Sequence, residues 1–179
     1  MAEAFSNSLT RAAGSVVTKT GSSVAAGSTQ ITVSANTNIV VGQLIDNANY
    51  IAGTKVDSIS GTTINADRVS TNTSTATSQT VKFLGVTTAF TSPSATKSIL
   101  IGGTFANNTN NQVSLTVNIS DNSSGISAAI ASKIPVPAGS SFVISDTGKT
   151  LLEANDKVEV YCDTDNAIDI NLSILTGVN

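Results

Sequence analysis

DKVEVYCDTDNAIDINLSIL, residues 156–175, decides the fold. Val158, Val160 and Cys162 alternate with Glu159 and Tyr161. Beyond a turn rich in Asp and Asn, Ile168, Ile170, Leu172 and Ile174 alternate with Asp169, Asn171 and Ser173. Strict period two sends successive side chains to opposite faces, so each run predicts a strand with one dry and one wet face. Leu115, Val117 and Ile119 repeat the pattern against Ser114, Thr116 and Asn118. Such strands, separated by Gly, Pro, Asn and Asp turns, predict an antiparallel β-sandwich (jelly-roll/Ig-like) over residues 97–179.

Residues 134–162 hold two of the three prolines. Pro135 and Pro137 keep the chain extended and remove donors at a sheet edge, which discourages stray pairing. Turns are expected at Ala138-Gly139, at residues 146–149 and at residues 153–156. Asn155 tolerates the left-handed backbone that the last of these needs. Ile101-Gly102-Gly103-Thr104 predicts a bulge or strand bend rather than a phosphate loop, since no Lys-Ser or Lys-Thr follows.

Composition agrees with an all-β chain. Of 179 residues only 12% are charged and 4% aromatic, and Ser, Thr, Asn and Gly take their place. Thr, Val and Ile suit strands, whereas strong helix formers are sparse. The net charge of -3 is too small to hold the chain disordered. It also leaves no basic field for a phosphate backbone, so nucleic acid is not an expected partner. No apolar run reaches the ~18 residues of a membrane-spanning helix. The beginning MAEAFSNSLTRAAG lacks the apolar core of an export signal. A cytoplasmic place of synthesis follows, and no membrane partner.

Four segments are expected along the chain. Residues 1–20 form an N-terminal arm with a weak helical look, because Ala2, Phe5 and Leu9 are spaced by three and four. Residues 21–84 form a small β-module of short strands and tight turns, with Ser60-Gly61 as its clearest hairpin signal. Within it, the Ser/Thr/Asn-rich run 69–80 reads as a long exposed β-edge or loop. Residues 85–96, with Pro93 among Ser and Thr, form a linker, and residues 97–179 the sandwich.

Chemistry is poorly provided for. The chain has no His, which removes Ser-His-Asp and Cys-His arrangements and imidazole metal sites. No carboxylate pair is marked, so no catalytic residue, no cofactor and no metal is expected. The single Cys162 excludes an intrachain disulfide and reads as a small buried hydrophobe. Residues 163–169, DTDNAID, invite a calcium reading, but an EF-hand loop needs an oxygen ligand where Ala167 stands, Gly at Ile168 and Glu at Ile174. A turn accounts for them as well. The Asn-x-Ser/Thr matches, such as Asn107-Asn108-Thr109, are what chance supplies in this composition.

Two phrases carry a resemblance. Ile51-Ala52-Gly53-Thr54-Lys55-Val56 with Ile59-Ser60-Gly61-Thr62-Thr63-Ile64, after Val41-Gly42-Gln43-Leu44-Ile45, resembles a β-module of tailed-phage structural proteins. Val136-Pro137-Ala138-Gly139-Ser140, residues 151–158 and residues 168–175 resemble a β-sandwich of phage virion proteins, including those of cyanophages. The resemblance implies a non-enzymatic virion component, assembled in the host cytoplasm. It would form a homo-oligomer and dock on portal or neck, tail or major capsid proteins. A neck, collar or tail-associated ring is favoured over capsid decoration. The alternative is a host-glycan-binding tail-fibre or adhesin segment, against which the shortage of aromatic faces counts. A depolymerase would need repeats that the chain lacks.

Overall fold

The computed structural model describes residues 3–145 and 149–178. All the regular structure in it is β, as the composition predicts, in three antiparallel sheets. The chain divides into two compact units, one of Met1–Gly14 with Thr87–Asn179 and one of Ser15–Val86. The smaller is inserted in the sequence of the larger.

The larger unit begins with β1 (Ala4–Ala13) and resumes with β8 (Thr87–Thr91), β9 (Lys97–Asn107), β10 (Val113–Ser120) and β11 (Ser127–Val136). The short β12 (Ser141–Ile144) and β13 (Thr150–Leu152), then β14 (Lys157–Cys162) and β15 (Ile168–Val178), complete it. One sheet runs β1-β15-β9-β12, with β13 also on β9, and the other runs β11-β10-β14-β8. Within this unit the chain changes sheet at every connection except β10 to β11 and β12 to β13. That is the wiring of a jelly roll, whose outer strand on one side is split into β12 and β13.

The alternations that predict the sandwich hold in the structure. Val158, Val160, Cys162, Ile168, Ile170, Leu172 and Ile174 are all buried, together with Leu115 and Val117, in one core with Phe105, Leu100 and Leu152. Tyr161 and Thr116 differ from their expected wet positions, for both are buried on the opposite face. They are cross-strand partners on β14 and β10, the two inner strands of that sheet, where neighbours on both sides remove solvent. The glycine pair at 102–103 meets its expectation: the β9–β15 register shifts between Ser173 and Ile174, opposite Gly102 and Leu100. Asn155 takes the left-handed φ of 67°. The turn expected at residues 146–149 falls mostly outside the described residues.

The inserted unit contains β2 (Val16–Val24), β3 (Gln30–Thr32), β4 (Leu44–Asp46), β5 (Val56–Ser60), β6 (Thr63–Ala66) and β7 (Ala76–Leu84). They form a six-stranded sheet in the order β4-β7-β2-β3-β6-β5. Its ends meet: Leu44 bridges Lys55, the Ile45 N–H donates to Thr54 O (2.8 Å), and the Val56 N–H donates to Gln43 O (2.9 Å). The sheet is therefore closed into a small barrel, which removes its free edges. Val24, Ile31, Tyr50, Ile64, Val81 and Phe83 fill it. Gly61, at φ 58°, turns the β5–β6 hairpin where Ser60-Gly61 predicts it.

Three expected segments are placed differently. Of the expected arm, residues 4–13 and 16–20 are strand: β1 pairs with β15 and β2 with β7. The spacing of four between Phe5 and Leu9 suits a helix, but four is also even, so both residues share one strand face. The expected linker at 85–96 contains β8, which pairs with β14 and is followed by Pro93. Proline there ends a strand. In the run 69–80, residues from Ala76 onward belong to β7, an internal strand of the barrel, not an edge.

Candidate functional site

Two surfaces of the jelly roll have the form of sites, and the first is a cleft among its end loops. Asn107 closes β9, and the loops after β9 and β11 converge beside it. Its buried side chain holds them together. Nδ2 donates to the carbonyls of Asn111 (2.8 Å), Val136 (2.9 Å) and Pro137 (3.1 Å), and Oδ1 accepts from the N–H and hydroxyl of Thr109 (2.8 and 2.9 Å). The Asn107 N–H donates to Ser140 O at 2.8 Å. An open cleft of about 610 Å³ results, lined by Asn108, Thr109, Asn110, Ser140 and Ser141 among others. No titratable or aromatic side chain lines it. It can offer hydrogen bonds to a neutral polar ligand, but it holds no group to carry a proton. Asn107 itself is engaged in the loop network, so its match to the glycosylation pattern has a structural use.

The carboxylates of residues 163–169 serve the same end of the fold. Asp163 Oδ1 accepts from the Ser114 N–H (2.9 Å) and the Thr164 hydroxyl (3.2 Å), and Asp169 Oδ1 accepts from the Ala12 N–H (2.8 Å). That last bond, together with Asn108 and the Arg11 charge, holds the Asp169 carboxyl below its usual range. Asn166 turns the chain at φ 52°. Among the described residues no group of three or more His, Cys, Asp or Glu could hold a metal ion.

Cys162 lies in the jelly-roll core, as its alternation predicts. Burial, with a lesser contribution from Asp163, pushes its thiol up to about 12. Folded protein at pH 8 is therefore expected to resist thiol reagents, with full labelling on denaturation. Because the thiol titrates near ~8.5 when unfolded, its burial contributes stability fully at lower pH, and that contribution is lost as pH rises from ~9 towards the folded value. Cys162→Ala should flatten the alkaline fall in melting temperature. Rapid labelling of the native protein would contradict the assignment.

The second surface is the outer face of the β1-β15-β9 sheet. Phe5 lies opposite Leu175, Leu175 opposite Ile99, and Ile99 opposite Leu151, so one apolar side chain from each strand forms a row across it. Phe5 and Leu151 are exposed. A parallel row holds Leu9, Asn171, Thr104 and Val143.

Comparison with known protein families, curated proteins and solved structures finds no match. The residues alone therefore carry the functional reading. Sequence alternation contains the sandwich but not Asn107, because one Asn among the many between 107 and 111 carries no local sign that it would clamp two loops. The apolar row was equally hidden, since it joins residues 5, 99, 151 and 175 from four strands.

Proposed function

We propose that the chain is a non-enzymatic structural component of a phage virion that self-associates and docks on other virion proteins. A neck, collar or tail-associated ring is preferred over capsid decoration. The apolar row carries the reading, because exposed Phe5 and Leu151 with half-buried Leu175 and Ile99 between them form an apolar surface suited to contact with protein. Jelly rolls are a common architecture of capsid proteins, and the sequence resembles virion modules in both units. The polar cleft, with no titratable side chain, adds no sign of catalysis.

Quantitative mass spectrometry of purified particles tests it. The protein should be present, in a small cyclic copy number for a neck or tail ring and in numbers matching the shell for a decoration protein. Absence from purified particles overturns the reading. The cleft supports a second reading, a segment that binds host glycan by hydrogen bonds alone. Saturable binding of host lipopolysaccharide, lost when Asn110 and Ser141 are changed to alanine, would favour it.

A further inference from the structure

We propose that two copies of this chain join through β1, antiparallel about a two-fold axis at Asn7, so that two jelly-roll sheets become one. This specifies the self-association in the virion reading.

The face assignment of β1 is the first observation. Ser6, Ser8 and Thr10 lie opposite Ile174, Leu172 and Ile170, which are buried core residues, so the polar side chains of β1 face inward. Phe5, Asn7 and Leu9 lie opposite Leu175, Ser173 and Asn171 on the outer face. Phe5 is 66% exposed and Leu9 72%. A strand serving only its own sandwich would have the reverse arrangement. Its apolar side chains are placed for something outside the chain.

The second observation is the edge itself. Outer strands of a sheet are normally blunted against stray pairing. Three of the four here are. β12 and β13 are short pieces, β11 carries Pro135 and a kink at Lys133 with φ 49°, and β8 has five residues, a register shift and Pro93 beyond it. β1 pairs regularly with β15 from Ala4 to Thr10, contains no proline, and bears no charge before Arg11; its register shift and its one positive-φ residue, Ala12 at 57°, come only at its far end. Every other residue of it turns its N–H and C=O to the open side.

The third observation selects the partner. EAFSNSLTR, residues 3–11, reads almost the same in both directions when classed by chemistry. Antiparallel pairing centred on Asn7 sets Ser6 against Ser8 of the second copy, Phe5 against Leu9, and Ala4 against Thr10. At the ends Glu3 comes against Arg11 of the second copy, an opposite charge, where the β1–β15 register shifts between Thr10 and Ala13. All pairs keep outward side chains with outward ones, as direct cross-strand partners must. An interface of this kind is isologous, each patch meeting itself. The row from Leu151 to Phe5 then continues without a break into Leu9 of the second copy.

Analytical ultracentrifugation of the full chain, with cysteine cross-linking, tests the pairing. The expected species has twice the 18.1 kDa mass of the chain. Phe5→Lys with Leu9→Lys, at positions exposed in the single chain, should return it to monomer with an unchanged circular dichroism spectrum. Directly opposed residues in antiparallel strands have Cα atoms about 4.5–5.5 Å apart, within disulfide range. Asn7→Cys should therefore cross-link to itself on mild oxidation. Phe5→Cys should not, but should cross-link when mixed with Leu9→Cys. Buried Cys162 stays silent in these experiments. A monomeric wild type, an oligomer indifferent to the double lysine change, or Phe5→Cys cross-linking to itself in preference to Asn7→Cys would overturn the proposal. A monomer that is nonetheless found in purified particles would leave the reading of a virion component that docks on its neighbours standing and remove its self-association through this interface.

Discussion

Phe105→Ala is expected to lower the unfolding free energy of the jelly roll by about 3–5 kcal/mol, the usual cost of emptying a buried aromatic position. Phe105 is fully buried on β9, opposite Ile170 of β15 on one side and Phe142 of β12 on the other. Its ring centroid is 6.0 Å from that of Phe142 with the planes tilted by 34°, so truncation also removes an aromatic pair. With so little other aromatic bulk in the core, aliphatic neighbours on three strands would have to close the gap. Domains of this size are stable by only ~5–15 kcal/mol, so the loss is a large share of the total.

The effect can be assigned to one unit because the chain has two tyrosines and no tryptophan. Tyr50 belongs to the barrel core and Tyr161 lies in the jelly roll. Urea unfolding followed by tyrosine fluorescence in Tyr50→Phe and Tyr161→Phe backgrounds should show the midpoint reported by Tyr161 falling. The midpoint reported by Tyr50 should move much less, since Phe105 is not part of the barrel core. Equal shifts in both would mean that the two cores unfold as one.

Gly14→Ala should cost about 3 kcal/mol or more, from backbone strain and overpacking together. Gly14 has φ of 120°, a conformation that side chains rarely adopt, and an added Cβ would run into the carbonyl oxygen of Thr164 and lie 3.1 Å from Cys162 Cβ. Retreat is restricted. The Gly14 N–H donates to Thr87 Oγ1 (3.3 Å), Gly14 O accepts from the Asn166 N–H (3.0 Å), and Ala13 O accepts from the Ala167 N–H (2.9 Å). Gly125→Ala in the same unit is the control. It also has positive φ, 70°, but open space around it, so only the left-handed penalty of ~1–2 kcal/mol is expected. Thermal melts of the two variants should separate clearly; similar losses would show that the close approach to Thr164 adds nothing.

How far the sequence could be read depends on the range of the interaction. Period two at Val158, Val160 and Cys162 is local, and burial of one face suffices to enforce it. The placement of residues 4–13 was not local, because their pairing partner lies more than 150 residues away in sequence. Nothing in MAEAFSNSLTRAAG says that Ser8 will lie opposite Leu172. The same distance hid the insertion. Residues 85–96 look like a linker because two units do meet in sequence there, but the second unit had already begun at β1 and needs β8 beside β14. Closure of the barrel was also silent, since it rests on backbone bonds between residues 42–45 and 54–56. Of the candidate surfaces, only the Asp-rich turn and the buried thiol could be read from neighbours in sequence.

The pairing of β1 with β15 also sets an order of events at the ribosome. Synthesis supplies every strand of the barrel by Val86, so that unit can close while more than half of the larger unit is still unmade. β1, translated before all of it, cannot find its partner until residues 168–176 emerge. Until then β1 lacks the strand it pairs with in the fold, and Phe5 and Leu9 have no place on the finished sheet. Domains tend to fold as they are made, and exposed strands are where nascent chains meet one another. β1 is thus satisfied only once β15 has been made, and polysome-bound chains are the place to look for its earliest encounters.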